Sequence, residues 1–503
     1  MGIVFRQSVK SSIVVGAGAV LGIIVVLLST QFLSKPVYGF IGTLTTYALT
    51  IGNLLLLGMH VTLAVYIHKY PAGELKRKVL ISVCLILPAL ILCVVTLFYF
   101  ILKSWVLIHF QPDDQVFMRR YYIWLPLFSL LFIYMYILEQ YLGSQMKVAI
   151  SAFMREVVLR SFSILLIILF GFGYISLDFL VIGSVLIYFI PVLLFYAIAL
   201  KTEGFGFSFS FKSFSKPEYE ELIHFSWYHF LLSISIILMS YMDVILLPLY
   251  DHSGFSSVAV YRVAIIFISF LQLPLKAFIS ASFTVMAKAF NDNDMVKAKD
   301  LFIRSSNNIL IPTVAIGILL CCNLTNAIDV IKHGYSQIKP VFLILLMGNI
   351  INIATGMNDQ VLSIAKYYKF NLYLSMLLIA LLFVLIRFLV PVYGIYGAAW
   401  STTTVLMIFN IAKCWFIWKK LDMQPFSINT LKILFCALPA LAGGYFFPYF
   451  FNPDRHVYVH TFLDAIMRSG IILIIYVIML VWLKPSKDLE EYLATVKKDK
   501  RLF

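Results

Sequence analysis

Charge is what this chain of 503 residues has least of. Asp, Glu, Lys and Arg make up 13% of it against 62% hydrophobic residues, about half the charged share of an ordinary soluble domain. So few charges cannot clothe a water-facing surface of that size, which excludes a set of soluble domains. Catalytic signatures are missing as well: there is no nucleophile-base constellation, no Gly-rich phosphate loop and no H-E-x-x-H. No catalytic residue and no cofactor are expected, and the chain reads as no enzyme. Cysteine is scarce, and its six copies (Cys84, Cys93, Cys321, Cys322, Cys414, Cys436) all fall inside apolar segments without C-x-x-C spacing. That excludes a disulfide framework and a zinc site. The acidic pairs Asp113-Asp114 and Asp292-Asn293-Asp294 stand just before helical segments, where they read as caps of exposed N–H groups and not as metal ligands.

What is present is apolar sequence in long runs. A span of the hydrocarbon core takes about 20 apolar residues, and such segments tile at 7–31, 38–66, 79–102, 119–143, 148–171, 175–200, 220–248, 256–287, 303–329, 338–364, 369–391, 394–418, 430–450 and 460–483. The expected fold class is an all-α polytopic membrane protein with about fourteen transmembrane helices. Arg6 and Lys10 precede the first run, whose only small-residue site, at 17–19, comes too early for cleavage, so it reads as an uncleaved helix.

The net charge of +15 does not gather on a soluble face, so nucleic acid is not an expected partner. Lys and Arg collect instead in alternate loops, about 25 on one side against 7 on the other. That asymmetry predicts a multi-pass membrane protein with both termini cytoplasmic. The polar stretch from Lys201 to Glu221 divides the first twelve helices six and six, and the opening pairs of the two halves look alike. The expected organisation is an N-terminal six-helix lobe at 1–201, a cytoplasmic linker at 202–219, a C-terminal six-helix lobe at 220–420, an accessory helix pair at 421–483 and a cytoplasmic tail at 484–503. Two pseudo-symmetric bundles are the usual construction of an alternating-access transporter.

A charge within the bilayer needs a partner, a water-filled cavity or a helix end within reach. Arg119, Arg120, Asp178, Arg387 and Lys419 lie near ends and can snorkel, and Asp464 and Arg468 stand four apart on one helix face, where they can pair. The eighth segment is richer, because Ser269, Gln272, Lys276 and Ser280 recur at helical spacing and form a polar face beside Pro274. Lys276 is read as a cavity-lining cation, with Gln272 beside it and Arg262 or Arg160 as a second cation. Thr46, Thr50, Asn53 and His60 make a milder stripe on the second segment. Asn53 and His60 are counted with the cavity, although a hydrogen-bonded structural role suits His60 taken alone. Asp243 and Arg262 flank one turn at similar depth and are expected to pair, as are Glu139 and Arg155; Arg160 has no evident partner. Asn358 and Asp359, in a polar patch of the tenth segment, suit a gate or an ion site.

Several stretches together resemble the polysaccharide-flippase branch of the multidrug/oligosaccharidyl-lipid/polysaccharide exporter superfamily. They are 242–247 (MDVILL), 259–264 (AVYRVA), Gly356-Met357-Asn358 and 394–402 (GIYGAAWST), while the first half matches mainly in helix layout. Ala259-Val260 departs from the Gly that often precedes the Tyr of the eighth helix. The resemblance implies two six-helix lobes around a central cavity open alternately to each side, and export of a lipid-linked oligosaccharide. A diphosphate headgroup cannot cross hydrocarbon unaided, which gives the interior cations a task. The expected partners are therefore a polyprenyl-diphosphate-linked oligosaccharide, membrane lipid and a coupling ion, with the membrane potential or the substrate gradient as other sources of drive. The alternatives are a drug/cation antiporter of the same superfamily, which favours unpaired acids in its cavity, and a lipid II flippase. A glycan polymerase would present a large outer loop, and a scaffold would not need buried polar stripes.

Overall fold

The structure is a computed structural model that describes residues 3–331, 334–448, 457–491 and 495, with side chains from Val14 onward except at 211, 277, 280, 281, 457 and 458. Its first part runs α1 (Ile3–Phe32), α2 (Lys35–Leu55), α3 (Met59–Tyr66), α4 (Leu75–Ile101), α5 (Lys103–Leu107), α6 (Pro112–Tyr121), α7 (Trp124–Ser144), α8 (Val148–Phe153), a π-helical turn Met154–Val158, α9 (Leu159–Gly171), α10 (Leu177–Leu186) and α11 (Phe189–Leu200). Then come α12 (Lys216–Tyr250), α13 (Phe255–Leu271), α14 (Leu273–Asn291), α15 (Met295–Val330), α16 (Ile338–Ala354), α17 (Asn358–Ile364), α18 (Tyr368–Tyr393), α19 (Ile395–Leu421), α20 (Ile428–Phe446) and α21 (Val457–Leu483). The chain folds into two compact units, Met1–Ala259 and Val260–Phe503.

Among the described residues eleven helices are long and apolar enough to cross a membrane, or twelve if α2 and α3, bent by 56°, count as one span. Both of the other expected spans are helical but interrupted. The segment at 148–171 is broken by the π turn, and 256–287 by a break at Gln272 between α13 and α14. The fold is that of a multi-pass membrane protein, and fourteen remains the expectation of the hydropathy pattern. Outward-facing side chains agree: α4 exposes Leu90, Val94, Leu97, Phe98 and Ile101, a stripe that is costly in water and at ease in lipid.

Helix ends depart from expectation for local reasons. The seventh segment starts at Lys216, not at 220, because Ser215 and Glu218 form a reciprocal capping box with Pro217 in the first turn. The fourth is preceded by the separate helix α6, so it begins at Trp124 and not at 119. Asp294 caps α15, accepting from the Lys297 N–H at 2.9 Å. Asp114 also caps, but not its own helix: its Oδ2 accepts from the Phe255 N–H at 2.8 Å, at the start of α13. Burial pushes the Asp114 carboxyl up to about 6, against the opposing pull of that N–H.

In the first unit, Gly39 of α2 lies where a Cβ would run into the Phe255 carbonyl, a close approach that only a small residue permits. Phe40, Phe117, Tyr121 and Phe255 pack around it with ring centroids 5.2–6.5 Å apart. Arg120 pairs with Asp178 and Tyr121 donates to the same carboxylate, which ties α6 to α10. α12 packs on α2 and α3: the Tyr47 hydroxyl donates to the Ile245 carbonyl at 2.9 Å, and Thr62 and Ser226 share a hydrogen bond of 2.6 Å.

In the second unit, α20 and α21 close over α15. Ile433, Cys436, Ala440, Ile472 and Tyr476 pack against Leu310, Val314, Ile318 and Cys322. Asp464 and Arg468 do pair on α21, at 3.1 Å, and Asn326 of α15 donates to the same carboxylate. Gly394, at φ 55°, joins α18 to α19, and a Cβ on Gly397 would strike the Leu389 carbonyl. The small residues of that family-like stretch therefore let α18 and α19 turn back on each other closely.

The bend between α2 and α3 makes its own prediction. Gly58 sits at φ 76°, and a Cβ there would also fall on the Ser226 backbone of α12. Gly58→Ala is expected to cost at least about 1–2 kcal/mol from the left-handed backbone alone, read as a lower melting temperature of the purified protein. Gly143→Ala, in open space on α7, is the control, expected to hold or raise it.

Candidate substrate and gating residues

The sequence-expected residues fall into separate groups, each within one unit. In the first unit, a four-charge cluster is built on α7, the π turn and α9. The Arg155 Nη1 lies 2.9 Å from Glu139 Oε1, and its Nε 3.2 Å from Glu156 Oε1. Arg160 is not unmatched, as its sequence surroundings suggested: its Nη2 lies 2.7 Å from Glu156 Oε2, and its Nη1 donates to the Gly18 carbonyl of α1. Gly18 and Gly22 leave the space these side chains fill, since a Cβ on either would meet Glu156 or Arg160. Glu156 was not singled out from sequence, although it stands four residues from Arg160, a spacing that pairs charges on a helix.

The stripe of the second segment is buried at Thr46, Thr50, Asn53 and His60. The Asn53 Nδ2 donates to the Leu49 carbonyl at 2.9 Å, a local bond within its own helix. His60 Nδ1 is buried with no hydrogen-bond partner among the described residues, so the hydrogen-bonded role does not hold for that nitrogen. Asp243 is buried on α12, with its Oδ1 2.8 Å from the Val244 N–H. Beside α3, α4 and α12 lies an apolar cavity of about 320 Å³ lined by Leu57, Leu80, Cys84, Leu222 and Trp227.

In the second unit the polar face of the eighth segment is not one continuous stripe. Ser269 ends up on α13 and Lys276 on α14, with the break at Gln272 between them. Pro274 supplies the reason: it has no N–H to donate and is suited to the first turn of a new helix. Lys276 is exposed there, while Arg262 is half-buried on α13. Both Arg262 and Asp243 engage neighbouring groups. Gln272 Nε2 lies 3.4 Å from Asn349 Oδ1 on α16.

The polar patch of the tenth segment turns out to be held by separate contacts to α15, α18 and α19. The helix breaks at 355–357 with Gly356 at φ 64°, and Ser306 of α15 donates to the freed Ala354 carbonyl. Asn410 of α19 donates to Asn352 at 3.0 Å and accepts from Thr355 at 3.1 Å. Asn358 Nδ2 donates to the Cys414 Sγ at 3.3 Å. Asp359 pairs with Lys413 at 3.1 Å and accepts from Asn371 at 3.2 Å. Lys413 is 1% exposed against 52% for Asp359, and its Nζ lies 3.7 Å from the Phe409 ring centroid. Sequence reading passed over Lys413, although a lysine inside an apolar run five residues short of its end was a visible signal.

Broken apolar helices with charges and amides at the breaks are a construction that alternating-access transporters use. The chain belongs to the polysaccharide biosynthesis protein family, whose model matches residues 5–290. That match covers the half where the residue resemblance was thinnest; Gly356-Met357-Asn358 and 394–402 lie beyond it. The fold is similar to the lipid II flippase MurJ in an inward closed conformation, with a TM-score of 0.71 at 15% identity over 94% of this chain and 100% of that one. It is also similar to an inward-facing multidrug resistance MATE family transporter, with a TM-score of 0.57 at 12% identity over 84% and 98%. A third is a transporter of the same superfamily from Pyrococcus furiosus, with 0.55 at 13% identity over 84% and 95%. A search of curated proteins finds no match.

Proposed function

We propose that this protein is a flippase that moves a polyprenyl-diphosphate-linked oligosaccharide, a polysaccharide or lipopolysaccharide precursor, across the bacterial cytoplasmic membrane by alternating access. The observation that carries the reading is an exposed cation at a helix break: Lys276 stands one turn into α14, beyond the interruption at Gln272, in a chain of the polysaccharide biosynthesis family. A diphosphate is a strongly hydrated anion, and a cation held where the backbone opens lowers its cost of passage while the polyprenyl tail stays in lipid. The lobes at 1–201 and 220–420, the accessory pair at 421–483 and both termini in the cytoplasm belong to the same reading, supported by the Lys/Arg asymmetry of the loops. The similarity to MurJ supports a lipid-linked substrate, and exposed cations such as Lys276 in the second unit and Arg155 in the first favour an anionic cargo over a cationic drug.

The test measures glycan export and protein abundance together. Lys276→Gln is expected to lower export by about tenfold or more at normal abundance, because one charge-assisted contact is lost. Lys276→Arg keeps the charge and is expected to retain most of the activity. Normal export by Lys276→Gln removes Lys276 from the site, and equal loss in both variants assigns it to packing.

A further inference from the structure

The four-charge cluster of the first unit has its signs arranged by depth. The guanidiniums face outward, with the Arg155 side chain 47% and the Arg160 side chain 33% exposed, while Glu139 and Glu156 behind them are each 16% exposed. Glu156 spends both carboxylate oxygens, Oε1 on Arg155 and Oε2 on Arg160. In an α-helix neighbouring residues point apart. Here Arg155 and Glu156 both lie in the five-residue π turn Met154–Val158, a widened turn of the kind that recurs at functional sites. Each guanidinium carries five donors, so two partly exposed cations share one covered carboxylate and keep donors to spare.

We propose that Arg155 and Arg160 form a binding site for a phosphate or diphosphate ester, and that Glu156 is the built-in anion with which that ligand competes. The proposal rests on the flippase reading above, and adds to it a residue that sets how tightly the headgroup is held. The physical reason is charge balance. Two arginines and two glutamates sum to zero, so an arriving phosphate gains the cations only against the field of Glu156. A carrier that must release its cargo is served by such a counterweight, because uniformly tight binding would hold the ligand in place. Neutralising Glu156 should therefore tighten binding, the opposite of what loss of a structural ion pair does.

The experiment uses the full-length purified protein in lipid nanodiscs, with undecaprenyl diphosphate, phosphatidylglycerol and inorganic pyrophosphate as probes. Glu156→Gln, which keeps the shape and drops the charge, is expected to bind undecaprenyl diphosphate about tenfold more tightly than the parent, the scale of one screened like-charge contact. Arg160→Gln and Arg155→Gln are each expected to weaken it about tenfold. Tightening toward undecaprenyl diphosphate and pyrophosphate but not phosphatidylglycerol supports a substrate headgroup as the occupant; equal tightening toward phosphatidylglycerol supports the anion site and assigns it to bulk lipid. Should Glu156→Gln lower the melting temperature, Glu139→Gln, which relieves Arg155 alone, is expected to tighten binding about threefold. Unchanged or weaker binding in both carboxylate variants overturns the proposal. If undecaprenyl diphosphate binding is then still lost in Lys276→Gln, the flippase reading stands without Glu156; if no variant and no parent protein binds any probe, both fall.

Discussion

Arg468→Leu is expected to cost about 3–5 kcal/mol of stability, the range found when one member of a buried ion pair is removed and the other is left uncompensated. Arg468 is 2% and Asp464 4% exposed, so water cannot take over the role of the lost guanidinium. The same side chain donates to the carbonyls of Gly444 and Phe447 at the end of α20, which Leu would leave without that donor. Asn326 would remain as the donor to Asp464, at 2.7 Å, and one neutral amide does not offset a buried carboxylate. Removing both charges together, as Arg468→Met with Asp464→Leu, is expected to recover most of the loss, because the cost lies in the unpaired charge and not in the pair itself. Denaturant unfolding in mixed micelles checks this, and a single variant as stable as the parent would show that the pair contributes nothing. Export should fall only in proportion to folded protein.

The pair of Lys413 and Asp359 is expected to behave asymmetrically. Lys413 is enclosed, whereas Asp359 is half in solvent and also held by Asn371. Asp359→Asn strands a buried ammonium and is expected to cost about 3 kcal/mol, toward the lower end for buried pairs because the carboxylate itself is screened. Lys413→Met leaves Asp359 with water and Asn371 and fills the same volume, so its effect on stability is expected within about 1 kcal/mol. Equal losses in the two variants would show that the environment of Lys413 is more polar than its enclosure implies. Lys413→Met therefore separates stability from transport, and an export defect in that well-folded variant would place the pair of Lys413 and Asp359 in the transport cycle.

Much of this was legible along the chain, and for identifiable reasons. Apolar runs long enough to span a bilayer mark themselves by composition, and the pairing of Asp464 with Arg468 followed from a spacing of four residues on one helix. The capping role of Asp294 followed from its place before a helix. The capping box of Ser215 and Glu218 was equally visible and lengthens α12 at its start. Other features depended on residues far apart in sequence. Asp114 caps α13, 141 positions away, which no local rule anticipates. Arg160 looked unmatched although Glu156 stands four residues before it, a legible spacing; only its second partner, the Gly18 carbonyl of α1, depends on a distant helix.

By itself the sequence determined the solvent: its scarcity of charge and its apolar runs exclude water as the medium, and with that every fold except helices packed within a bilayer or a closed barrel. It also determined the family, through residues 5–290. Only the tertiary structure decided where helices break and which charges meet. Hydropathy averages over about twenty residues and cannot register a bend at Leu57 and Gly58, a π turn at 154–158 or a restart after Gln272. Ion pairing depends on side chains converging from separate helices, as Lys413 from α19 and Asp359 from α17 do, and in a low-dielectric interior the distance between two charges outweighs anything about either one alone.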